Sequence, residues 1–167
     1  MLGIGQRVMY GVHGVCTVVE LENRKVDGKM LEYLVLEPLE KSGSRFLVPS
    51  GNPKAMAKLH PLLPKEALEE MLSAQEIWQD VWIPEENLRK LKYRELLSGG
   101  DREALLQMVN TLHTHQRLQL EAGRKMHLCD EGFLRDATRL ICTEFAISLN
   151  IPAAEVPAYI ESFRKAK

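Results

Sequence analysis

Cysteine is scarce in this 167-residue chain: Cys16, Cys129 and Cys142 form an odd, widely spaced set with no CxxC pair. That pattern excludes a disulfide scaffold and offers no thiolate zinc motif, so reduced thiols in a cytoplasmic protein are expected. Long apolar runs are missing too, since none approaches the roughly 20 residues that span a bilayer. The opening "MLGIGQRVMY" reaches Arg7 before any apolar stretch develops, and no signal peptide is expected. Nor is there a basic excess. With 22 Lys and Arg against 23 Asp and Glu, the net charge is −1. Phosphate neutralisation supplies most of the affinity of a free-standing DNA binder, so this chain's own charge would hold nucleic acid only weakly. HExxH, GxSxG and Gly-rich phosphate loops are absent, which removes the usual sequence signs of zinc proteases, serine hydrolases and nucleotide-binding proteins. What is present is 45% hydrophobic and 27% charged, the composition of a folded chain.

Two periodicities divide the sequence. Residues 4–49 hold short runs rich in Val, Leu, Tyr and Phe: "RVMYGV", "GVCTVVEL", "LEYLVLEPL" and "SRFLVPS". Glycines and the dipeptide Asp27-Gly28 punctuate them, and the latter is a strong hairpin signal. Four or five such strands predict a small, bent antiparallel barrel of SH3 or Tudor type. From Pro61 the period becomes helical. Pro64 and Pro84 each open a predicted helix, Gly99-Gly100 stops one, and Asp101 caps the next. Leu105, Met108, Val109 and Leu112 recur at helical spacing. A broad stripe of Phe133, Leu134, Ala137, Leu140, Ile141, Phe145 and Leu149 is suited to a bundle centre. The expected fold class is α+β: a barrel over residues 1–60 followed by an all-α domain over residues 61–167, with the boundary in the Pro-bearing stretch around residues 50–64.

Three constellations invite a chemical reading. His113-Thr114-His115 and His127-Leu128-Cys129-Asp130 suggest a metal, but helical neighbours two apart point about 200° away from each other and cannot share one. Asp130 reads instead as an N-cap for the following helix. His13 and Cys16, in "GVHGVC", suggest a nucleophile, yet a cysteine within a strand is most often a small core hydrophobe, and glycines 11 and 14 suit a tight turn. The third is cationic: "NLRKLKYREL" carries Arg89, Lys90, Lys92 and Arg94 around Tyr93, with Trp78 and Trp82 upstream and Arg124-Lys125 in a later turn. It reads as a solvated helix face or as a DNA contact. Aromatic wedges beside Arg and Lys are tools for opening a duplex from the minor groove, whereas tryptophans can also simply pack a domain.

The N-terminal half resembles the RNA polymerase-interacting domain shared by CarD/CdnL regulators and the transcription-repair coupling factor Mfd. The residues that carry the resemblance are Gly5-Gln6, Val8, Tyr10, His13-Gly14-Val15, Val18, Glu22, Gly28, "YLVL" at 33–36, and Val48-Pro49. "RKLKYRELLSGGD" and "DEGFLRDATRLICTEFA" extend the likeness to the helical half of CarD. The resemblance implies a barrel that binds the β subunit of bacterial RNA polymerase by sheet extension. It also implies a helical domain that meets promoter DNA at the upstream edge of the bubble, with no sequence-specific readout. Polymerase contacts then fall on Arg24, Arg45 and Leu47. DNA contacts fall on Trp82, as the wedge, and on Arg89, Lys90, Lys92, Arg94, Arg124 and Lys125. In the actinobacterial pattern the wedge tryptophan stands next to the basic helix, a place held here by Glu85-Glu86, and Trp82 lies a few residues upstream.

The expected protein is a non-enzymatic, cytoplasmic transcription regulator that modulates open-complex lifetime, with no cofactor, metal, membrane or small-molecule substrate. The alternative is an adaptor whose helical bundle binds protein. Residues 61–167 hold 14 Lys and Arg against 17 Asp and Glu, an acidic balance that favours the alternative.

Overall fold

The structure, a computed structural model, describes residues 2–40 and 43–165. Five antiparallel strands are followed by a mostly helical region, which makes the protein α+β. Two compact units divide it, Met1–Leu62 and Leu63–Lys167.

In the first unit, β1 (Arg7–Tyr10), β2 (Val15–Val26), β3 (Lys29–Pro38), β4 (Phe46–Pro49) and β5 (Leu59–Pro61) form one sheet in the order β4-β3-β2-β1-β5. A single 3-10 turn at Gly11–His13 joins β1 to β2. The β2–β3 hairpin closes on Asp27 (φ 51) and Gly28 (φ 80), two successive left-handed residues, which is the turn geometry that matches strand twist. Its register slips once, between Val18 and Glu20, and this irregularity bends the long strand. One face of the sheet carries a core cluster of Val8, Cys16, Val18, Leu34, Leu36 and Val48, and Met9, Val15 and Val35, which alternate onto the other face, are buried as well. Cys16 is fully buried there, and burial pushes its thiol up to about 11, so it packs as an inert hydrophobe. β5 and the short helix α1 (Pro53–Met56), capped by the Asn52 side chain, occupy a stretch expected to contain only turns. Because β5 runs to Pro61, the sheet continues one residue past the expected boundary.

The second unit contains α2 (Lys65–Ser73), a 3-10 turn at Glu76–Trp78, α3 (Glu86–Gly99), α4 (Arg102–Glu121), α5 (Leu128–Leu149) and α6 (Val156–Lys165). Asp101 caps α4 by accepting from the Ala104 N–H at 3.0 Å. Gly100, at φ 77, ends α3 in the left-handed conformation that an L side chain resists. Pro64 and Pro84 stand just outside their helices, since α2 begins at Lys65 and α3 takes the Glu85 carboxylate as its cap. Helix α5 is central, burying Leu134, Ala137, Leu140, Ile141, Phe145 and Leu149. It also carries two buried carboxylates. Asp130 holds Arg89 of α3 through two 3.0 Å bonds, and Glu144 holds Arg102 of α4 through two 2.9 Å bonds. Glu144 further accepts the Leu63 N–H at 3.0 Å. Fork-to-fork geometry of this kind satisfies both charges while fixing the angle between helices.

One expectation is corrected here. Asp130 is not the cap of α5: the helix begins at Leu128, and Asp130 lies within its first turn with its side chain turned inward. Tyr93, which the sequence places amid cations, is buried edge-on against Phe133 with ring centroids 5.5 Å apart.

Candidate functional site

Strand register decides what the first unit presents. Arg24 opposes Leu31, Tyr33 opposes Glu22 and Pro49, and Leu47 opposes Val35. Alternation along β3 puts Leu31, Tyr33 and Val35 on the face opposite the Leu34 and Leu36 core. Arg24 and Leu47 therefore share that outer face. Arg45 joins them, reaching Glu37 at 3.9 Å and Glu20 at 3.6 Å. Four residues of β3 separate the positions facing Arg24 and Leu47, about 13 Å along the strand. Arg24 is exposed and bound to Glu22 at 2.6 Å, and this hydrogen bond, with the charge behind it, raises its pKa further. Leu31 and Leu47 are 38% and 37% exposed, so the face mixes apolar and charged groups. β4 is an end strand, and among the described residues no strand pairs with its outer edge.

His13 has a packing role the sequence did not reveal. Its ring lies 4.3 Å from Phe46, at the start of β4, and 5.1 Å from Tyr10. The histidine of the opening turn thus braces the end strand.

In the second unit the candidate DNA residues separate into three kinds. Arg89 is 3% exposed. Besides Asp130, it donates to the carbonyls of Ile83 and Pro84 at 3.0 and 3.5 Å. Burial works against its charge, but the hydrogen bonds and negative charge of Asp130 outweigh it and raise the pKa. A guanidinium so committed cannot also reach a phosphate, and Arg89 is removed from the DNA-facing set. Lys90 is half-buried and pairs with Glu86 at 3.3 Å, holding that carboxylate below its usual range. Lys92, Arg94, Arg124 and Lys125 are exposed, and among the described residues no ion pair engages them.

Trp82 is half-buried at the edge of a depression of about 230 Å³ that Met126, His127 and Asp130 also line. The Arg89 guanidinium carbon sits 4.4 Å from its ring centre, and His115 stacks on it at 3.9 Å and 17°. Asp80 ties this arrangement together. One carboxylate oxygen accepts the Trp82 N–H at 2.8 Å, and the other meets His115 Nε2 at 3.1 Å. The Thr111 hydroxyl accepts the Val81 N–H at 3.0 Å. The chain before α3 is thereby clamped along α4, and Trp82 is held by contacts from both helices.

Cys129 Sγ lies 3.7 Å from Glu86 Oε1, which brings the start of α5 against the start of α3. Trp82, Lys90 and the loop bearing Arg124-Lys125 therefore gather at one end of the unit. Arg94 lies eight residues beyond Glu86, about 12 Å along the helix. Asp80 was missed by sequence reasoning, and His115 and Asp130 were read there as metal or capping candidates and not as partners of Trp82 and Arg89. The available signal was the His113-x-His115 spacing, which sends the two rings to different surfaces. Trp78 has another role: its Nε1 donates to the Leu72 carbonyl at 3.3 Å, and Arg164 lies over its ring at 4.9 Å.

A sheet with a mixed outer face and an open edge is thus followed by a helical unit with a gathered cationic end. Residues 2–60 match the family model described as the CarD-like/TRCF RID domain, and the first unit is a domain of that family. Its role is transcription-associated and rests on binding RNA polymerase. No curated protein matches the chain.

Proposed function

We propose that this protein is a non-enzymatic transcription regulator that docks on the β subunit of bacterial RNA polymerase and touches promoter DNA at the upstream edge of the bubble. The family match over residues 2–60 is the observation that carries this reading. Docking uses the free edge of β4 and the outer face bearing Arg24, Arg45 and Leu47, by addition of a strand from the partner. The sheet acts as a Tudor-like barrel, a reading supported by the irregularity after Val18 and by α1 lying against β4. Trp82 serves as the wedge into the minor groove, and Lys90, Lys92, Arg94, Arg124 and Lys125 hold phosphates. The product is a changed open-complex lifetime with no operator sequence read.

Pull-down of core polymerase followed by footprinting on a promoter fork tests both halves. Leu47→Asp and Arg24→Ala should reduce retention at least tenfold. Trp82→Ala should retain polymerase and shorten or lengthen open-complex lifetime severalfold; an unchanged lifetime would remove the wedge role. The adaptor reading is favoured only by the acidic balance of residues 61–167. It predicts polymerase retention with no protection of DNA.

A further inference from the structure

We propose, on the DNA-contacting reading of the second unit, that Asp80 and His115 are positioning residues which hold the Trp82 indole in the orientation that meets the duplex. Trp82 lies between the 3-10 turn at Glu76–Trp78 and α3, in a stretch with no helix or strand ladder of its own. Side chains order its backbone instead. The Thr111 hydroxyl accepts the Val81 N–H, Asp80 Oδ1 accepts the Trp82 N–H, and Arg89 donates to the carbonyls of Ile83 and Pro84. Thr111 and Arg89 are 1% and 3% exposed, so two of these three anchors belong to the folded interior of the unit.

The third anchor is different, because it lies outside the core. The Asp80 and His115 side chains are 49% and 22% exposed. An ionised carboxylate only accepts, so His115 Nε2 donates to Asp80 Oδ2 at 3.1 Å, and that bond fixes the plane of the imidazole. The plane so fixed lies 17° from that of the indole, with ring centroids 3.9 Å apart. Asp80 thus controls Trp82 twice, its backbone through Oδ1 and the stack on its ring through Oδ2. An indole that only fills a core is enclosed by apolar side chains. Trp82 is half-buried, lines a depression with His115, Gln119 and His127, and has the Arg89 guanidinium over its ring. Ordering an accessible ring in advance removes the entropy cost of ordering it on contact. A wedge that must enter a base step gains directly from this.

The test reads open-complex lifetime with the full-length protein and polymerase on a promoter. Acrylamide quenching of Trp82 is read beside it in the Trp78→Phe background, where Trp82 is the one tryptophan. His115→Ala and Asp80→Ala should each free the ring. Quenching then rises, and the effect on lifetime falls at least threefold towards that of Trp82→Ala, with polymerase retention unchanged. His115→Phe keeps a stacked ring. Asp80→Asn keeps an acceptor for the Trp82 N–H and a hydrogen-bond partner for Nε2. Both should restore the lifetime effect to within about twofold of wild type. A full lifetime effect in His115→Ala or Asp80→Ala, where Trp82→Ala abolishes it, overturns the positioning role and leaves the wedge standing. Equal losses in His115→Ala and His115→Phe with quenching unchanged also overturn it, because the imidazole would then touch DNA itself. A wild-type lifetime in Trp82→Ala overturns the wedge and the positioning role with it. Asp80 is half exposed, so Asp80→Ala decides the matter even where a His115 variant fails to fold.

Discussion

At the scale of single residues, Arg89 shows why side-chain chemistry alone does not assign a role. In the sequence it is one of four cations within six residues, and nothing local distinguishes it from Lys92 or Arg94. Its partner, Asp130, lies 41 positions away on another helix, with side chains 4% and 2% exposed. Removing one member of a buried pair leaves the other charge uncompensated. Arg89→Ala should therefore cost about 3 kcal/mol of stability in urea denaturation. The double change Arg89→Met with Asp130→Leu should recover most of that loss, because a well-packed apolar pair replaces both charges. Trp82 emission should shift in both variants, since the guanidinium over its ring is gone. Wild-type stability in Arg89→Ala would show that the cation is dispensable and return it to the DNA-facing set.

Among elements, the β2–β3 hairpin carries Arg24 and Leu31, so its register places part of the proposed docking face. That register was legible: Asp27-Gly28 between two alternating runs specifies a two-residue turn, and the backbone takes it. Nothing lies within 4 Å of where a Gly28 Cβ would sit, so substitution there is opposed by backbone conformation and not by a clash. Gly28→Ala should lower stability of the first unit by about 1 kcal/mol, and Gly28→Asn by less, because asparagine tolerates the left-handed region. Hydrogen exchange of the β2 and β3 amides measures this, and equal protection in Gly28→Ala would argue for a different turn. β5 and α1 were not legible for the opposite reason. "LHP" and "PKAM" are too short to show a period, and each exists through partners: β1 in one case, the Asn52 cap in the other. The candidate sites divide in the same way. Exposed Lys92 and Arg94 follow from helical spacing. That Arg24, Arg45 and Leu47 share one face depends on how β2 and β4 pair with β3, and the hold on Trp82 depends on Asp80 and His115, neither visible in a pattern of neighbours.

For the whole molecule, the decisive quantity is charge. A net of −1, with an acidic balance beyond residue 60, gives little long-range attraction for DNA. The exposed cations Lys92, Arg94, Arg124 and Lys125 contribute at most a few phosphate contacts, and such affinity falls steeply with salt. Docking on polymerase changes the problem from concentration in bulk to concentration at the promoter, which a tether raises to the millimolar range. On the proposed reading, weak intrinsic contact with DNA suffices at the bubble and avoids sequestration elsewhere. The free protein should accordingly show no binding to promoter duplex at physiological salt, while its effect on open-complex lifetime persists there. Replacing Lys92 and Arg94 together with Gln should reduce that effect severalfold and leave polymerase retention intact. Filter binding of the free protein and lifetime assays across a salt series separate the two contributions. Free-protein affinity tight enough to survive physiological salt would overturn the tethering account, because the helical unit would then find DNA without its partner.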